Sequence, residues 1–155
     1  MLRILRSMVL GTLLGAAVAA GGATSQAAAQ GTDGYHRLAL YITEAEMDKM
    51  NSVLDVAANV SRHYSAIGEE VEIQIVAYNA GLHMLRADTS PVRKRLENFM
   101  LSMVNVSFQA CGNTLDSMTR NEGVKPELIE GTEIVQTGVA HLLALDEEGW
   151  TLVRP

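Results

Sequence analysis

Residues 37–42, Arg-Leu-Ala-Leu-Tyr-Ile, form a nearly unbroken apolar run, and a stretch of helical periodicity follows at once. Successive strand residues point to opposite sides of a sheet, so a strand that is apolar at consecutive positions has both faces covered. Such a strand belongs inside a parallel sheet with helices on each side. The residues after it fit that layout. Thr43-Glu44-Ala45-Glu46 has the spacing of a capping box and predicts a helix start. Met47, Met50, Leu54, Ala57, Val60, Tyr64 and Ile67 then fall three and four apart, on one buried face, and Gly68 supplies a left-handed stop.

The same alternation continues along the chain. Residues 71–77 read as a second strand and 78–85 as a turn with a short helical segment, while Ser90-Pro91 pairs an N-cap with a proline to open a helix reaching about 103. Residues 104–110 alternate apolar and polar, which predicts a third strand with one face less well covered. A short helix through Leu115 and Met118, a turn at 126–129, a strand at 133–136, a helix over 138–148 and a last strand at 150–153 complete the pattern. Strands alternating with helices over short connections predict an α/β fold with one parallel sheet.

The first thirty residues differ in kind. Arg3 and Arg6 precede an apolar run at 8–20, then a small-residue stretch ending at Ala27-Ala28-Ala29. That order reads as a secretory signal peptide over 1–29, followed by a flexible leader at 30–35 and one domain at 36–155. The run is short for a membrane span, so no membrane association is expected after cleavage, and a periplasmic location is. Removing the two arginines leaves 10 basic against 18 acidic residues, a net charge of −8. With that balance nucleic acid is not an expected partner, since phosphate binding rests on clustered cations.

An oxidising compartment pairs cysteines, yet this chain has one, Cys111. It is either a buried small hydrophobe or a free thiol with a chemical role. The residues around it decide where to look. Val-Ala-Tyr-Asn-Ala-Gly-Leu at 76–82, Ala-Cys-Gly-Asn-Thr at 110–114 and Thr137-Gly138-Val139 at the start of the last helix resemble the DsrE/DsrF-like sulfur-relay family over roughly residues 37–155. The resemblance implies a three-layer α/β/α sandwich with a five-stranded, mainly parallel sheet in the order 4-3-2-1-5. It also implies homo-oligomers, trimers or hexamers. In relay members a cysteine after the third strand accepts sulfur as a persulfide and passes it on, and Cys111 matches that position. The known relay members are cytoplasmic, whereas this chain reads as an exported one.

A thiol at the carboxyl end of a parallel strand, where a helix begins, sits where ligands gather in open α/β sheets, and helix amides there favour the thiolate. Gly112 leaves room for an incoming sulfur, while Asn113 and Thr114 offer hydrogen bonds. Asn79 and Gly81 follow the second strand at the same sheet edge, where Tyr41 and Thr43 end the first. Asn79, Gly81, Gly112, Asn113 and Thr114 are therefore the candidate ligand-binding residues around the candidate catalytic Cys111.

His36, His63, His83 and His141 show no metal-site spacing, and the methionines follow helix faces, so neither a metal nor another cofactor is expected. His83 alone is placed to reach the sheet edge as a base, against the plainer reading of a solvated histidine. Leu96, Phe99, Met100, Leu142 and Leu143 exceed what one sheet face needs and point to self-association. Two functions stay open: a carrier of sulfane sulfur exchanging with a donor or acceptor protein, or an oligomeric module that binds a small ligand or partner without chemistry. A thiol reductase is disfavoured by the lack of a resolving cysteine.

Overall fold

The computed structural model describes residues 34–155; the signal-peptide reading and most of the leader lie outside them. The chain builds β1 (Tyr35–Ile42), α1 (Met47–Ile67), β2 (Glu70–Ala77), a 3₁₀ segment (Asn79–Leu85), α2 (Arg93–Ser102), β3 (Val106–Cys111), α3 (Gly112–Glu122), β4 (Thr132–Val135), α4 (Gly138–Glu147) and β5 (Thr151–Val153). The strands form one sheet in the order β4-β3-β2-β1-β5, and every neighbouring pair is parallel.

Register follows from the apolar pattern. Leu40 pairs with Ile75 and Ile75 with Phe108, so one face presents Leu38, Leu40, Ile42, Ile73, Ile75, Val106 and Phe108 together. α1 covers that face with Met50, Val53, Leu54 and Ala57, and α2 adds Leu96 and Phe99, the latter edge-on to Phe108 at 6.2 Å. The opposite face holds a smaller core, where Ala39 and Val76 meet Leu142 and Leu145 of α4 beside Trp150. This face carries amides as well: His141 bonds Gln74 at 2.8 Å, and Gln109 bonds Ser107 and Glu133. Helices on both faces make the three layers.

Three local expectations change. No capping box forms at Thr43; Glu46 is the N-cap of α1 and has no side-chain bond. Glu44 instead accepts from the Thr43 amide and hydroxyl and pairs with Arg154, a charge-assisted set that outcompetes a neutral cap. Helix α2 starts at Arg93 and not at Pro91, because the Ser90 hydroxyl is spent on the Met84 carbonyl at 2.7 Å. β3 starts at Val106: Val104 is 97% exposed, and Asn105 turns its amide onto Ser61 and the Val71 carbonyl.

Of the apolar residues expected in excess, Leu96, Phe99 and Leu142 are consumed by the core, while Leu143 is 58% exposed. A buried cation holds the flank. The Arg86 guanidinium donates to both oxygens of Asp88 and both of Glu122, tying the end of the 3₁₀ segment to α3. That contact holds the Asp88 carboxyl down at about 2.

Candidate functional site

β3 delivers Cys111 as its last residue, paired with Val135 of β4, and the same residue is the N-cap of α3. β2 exits beside it into Tyr78 and Asn79, and β4 exits through Gln136 and Thr137 into α4. Three strand ends and two helix starts therefore meet around one sulfur. The Gly138 amide, first in α4, donates to Cys111 Sγ at 3.3 Å. Glycine eases that approach, since a Cβ at 138 would stand 3.3 Å from the Cβ atoms of both Cys111 and Tyr78 and push them apart by a few tenths of an ångström.

A cavity of about 410 Å³ opens here, walled by Tyr78, Asn79, Cys111, Asn113, Thr114 and Thr137 among others. Cys111 is 5% exposed at its base. The walls are stitched across the gap between α3 and α4: Asn113 Nδ2 donates to Thr137 Oγ1 at 3.0 Å, Gln136 Nε2 donates to Asn113 Oδ1 at 3.1 Å, and the Asn113 amide donates to the Gln136 carbonyl. On the other side the Asn79 amide donates to Thr114 Oγ1 at 3.1 Å.

Among the described residues, no ionisable side chain lines the cavity apart from the thiol and the Tyr78 phenol. The sulfur is set by neutral dipoles. Burial pushes the Cys111 thiol up, but the Thr114 hydroxyl and the amides of Gly138, Thr114 and Asn113 favour the anion and outweigh it, so the thiol lies below its ordinary value. Gly138 alone makes a hydrogen bond of ordinary geometry to the sulfur; the others act from the first turn of α3. Tyr78 is raised by burial and by its neighbours Tyr41 and Cys111.

The expected residues divide. Cys111, Asn79, Asn113 and Thr114 come together in the cavity wall. Gly112 is outside the wall; a Cβ there would stand 3.3 Å from the carbonyl oxygens of both Val135 and Gln136. Gly81 is outside the wall; a Cβ there would fall 2.3 Å from the Ile42 carbonyl oxygen, so it serves the packing of the 3₁₀ segment on the end of β1. Tyr41 stacks on Tyr78 at 6.3 Å from behind, and His83 bonds Thr89 and does not line the cavity. Tyr78, Thr137 and Gly138 were not assigned to the site from sequence. Their signal was present in the segments 76–82 and 137–139, but nothing local in it says that they face Cys111.

A larger groove, about 870 Å³, lies at the opposite end of the sheet, between strand starts and the end of α1; Glu69, Glu70, Glu72 and Asn105 line it, and it holds no thiol. Among the described residues no group of three histidine, cysteine or acidic side chains is placed to hold a metal.

No family model and no curated protein matches the sequence. Solved structures do. The structure of MTH1491, a protein of unknown function from Methanobacterium thermoautotrophicum, is similar at 31% identity and a TM-score of 0.64, covering 77% of this chain and 99% of that one. The ychN protein from E. coli aligns at 18% identity and a TM-score of 0.54, over 77% of this chain and 99% of its own. BT1422 from Bacteroides thetaiotaomicron, of unknown function, aligns at 17% and 0.51, over 77% and 94%. The last two likenesses concern the fold alone. The identity to MTH1491 along nearly all of that protein, together with the five-stranded parallel sheet, shows that this chain belongs to the DsrE/DsrF-like fold family.

Proposed function

We propose that the protein carries sulfane sulfur on Cys111. One observation supports the reading above others: the only cysteine lies at the base of a cavity where two helix N-termini converge and neutral donors favour the thiolate. The thiolate attacks the outer sulfur of a donor such as thiosulfate. A Cys111 S–S bond forms, the donor S–S bond breaks, and the electron pair leaves with sulfite, giving the Cys111 persulfide anion. An acceptor thiolate then takes the terminal sulfur and returns Cys111 as thiolate, with no net oxidation. The single negative charge passes from the Cys111 sulfur to the terminal sulfur and stays beside the N-termini of α3 and α4.

The reading includes export to the periplasm, supported by the order of residues 1–29, and a homo-oligomeric state, supported by exposed Leu101, Val139 and Leu143. The low exposure of Cys111 favours a second reading, in which the cavity binds a small ligand and the thiol only packs. Intact-mass spectrometry after incubation with thiosulfate separates the two. Sulfur transfer adds the mass of one sulfur atom to the native chain and none to Cys111→Ser; an unchanged native mass with thiosulfate and with polysulfide removes the carrier reading.

A further inference from the structure

Asn79 is the only described non-glycine residue with a positive φ, 51°, and its side chain is exposed. Asparagine tolerates the left-handed region better than most residues, but the conformation still needs something to hold it. It places the backbone amide 3.1 Å from Thr114 Oγ1, thirty-five positions away in α3. A hydroxyl has one proton and two lone pairs, so an amide donating to the oxygen restricts where the proton can turn.

Thr119, in the same helix, shows what a threonine hydroxyl does there when no amide claims it: it donates to the Leu115 carbonyl at 2.8 Å. Thr114 makes no such bond among the described residues. The residue four before it, Ala110, lies in β3. Thr114 lines the same cavity as Cys111, three residues back at the N-cap of α3, and its hydroxyl favours the thiolate there.

We infer that Asn79 is a positioning residue: its left-handed backbone donates to Thr114 Oγ1 and so turns the Thr114 proton toward the Cys111 sulfur. The link runs from the exit of β2 to the start of α3. It rests on the reading of Cys111 as a working thiolate and adds the device that sets its ionisation.

The ultraviolet absorbance of the thiolate, titrated against pH with Cys111→Ser as the blank, tests it. Thr114→Val keeps the shape and loses the hydroxyl, and it raises the Cys111 midpoint by about one pH unit, a roughly tenfold loss of thiolate below the midpoint. Thr114→Ser restores the wild-type midpoint. Asn79→Val, which keeps the amide but resists the left-handed region, raises the midpoint by about half a unit, and Asn79→Gly, which enters that region freely, does not. If Asn79→Val fails to fold, Asn79→Ala takes its place with a smaller rise in the same direction. A wild-type midpoint below about 8.5 that is unmoved in the Asn79 variants overturns the inference while the thiolate reading stands. A rise in Asn79→Gly equal to that in Asn79→Val also overturns it. A wild-type midpoint at or above about 8.5 overturns the thiolate reading itself, and this inference with it.

Discussion

The two ends of the sheet are built from the same strands and are chemically opposite. At the carboxyl end, strand exits and the N-termini of α3 and α4 surround a cavity walled by amides, hydroxyls and one thiol. At the amino end, Glu69, Glu70 and Glu72 line a wider groove beside the last turn of α1, with Tyr35 bonded to Glu72 and His36 to Glu69. The difference comes from polarity. In a parallel sheet every helix that follows a strand begins at the same end, so positive dipole ends collect on one rim and negative ends on the other. An anionic sulfur can therefore be stabilised at the first rim without any cationic side chain.

Breaking the frame beneath the carboxyl rim has the largest effect. Gly81→Ala puts a methyl group 2.3 Å from a main-chain oxygen that cannot yield, and a loss of about 3 kcal/mol or more is expected in chemical denaturation. Reversing the local charge is milder and tests the comparison directly. Val139 lines the cavity and is 57% exposed in the first turn of α4. Val139→Glu keeps the helix, since an acid suits its N-terminus, but raises the Cys111 midpoint by about half a unit and slows sulfur uptake from thiosulfate several-fold at low salt. Glu70→Gln, at the other rim, leaves both unchanged. Equal effects from the two variants would show that the rims are not distinct electrostatically. The smallest effect is a near absence: with no cationic side chain in the wall, raising the ionic strength from about 0.05 to about 0.5 M moves the wild-type midpoint by less than about 0.2 units, because fixed neutral dipoles at contact distance are little screened.

The Arg86 clasp gives a reference outside the cavity wall, which its guanidinium meets at the sulfur of Met118, 3.9 Å away. Asp88 is held near 2, below the usual carboxylate range of about 3.9, so its contribution to stability is complete above that range and is lost as the pH falls through about 2. Glu122, also lowered by Arg86, follows the same sign. Arg86→Met removes this acid limb from the stability profile, read by thermal melts between about pH 2 and 5, and leaves the Cys111 midpoint in place.

The layers were legible because strand and helix periods are local, and because the 37–42 run is apolar on both sides, whereas the sheet order came from the family resemblance and not from any local pattern. The cavity was legible in part. Cys111, Asn113 and Thr114 are consecutive in pattern, so one segment names them. Gly138 reaches the sulfur across twenty-seven positions, and that contact exists only because β4 lies beside β3. The two caps that failed, at Thr43 and Ser90, were overridden by partners outside the helices they would have capped, Glu44 with Arg154 and the Met84 carbonyl. Gly81 misled for a related reason: the backbone it nearly touches belongs to β1.

Consider finally the order in which the strands are made. β1 is synthesised first, yet one of its two neighbours is β5, the last to appear, and Leu38, Ala39 and Leu40 find Thr151, Leu152 and Val153 only after more than a hundred intervening residues. A chain emerging from the ribosome therefore holds an open, apolar strand edge until Thr151 is in place. Pairings so distant in sequence are slow to close, since the entropy of the loop is lost before any contact is gained. Under the proposed export, that delay keeps the sheet incomplete during translocation, and folding finishes once the final strand has crossed.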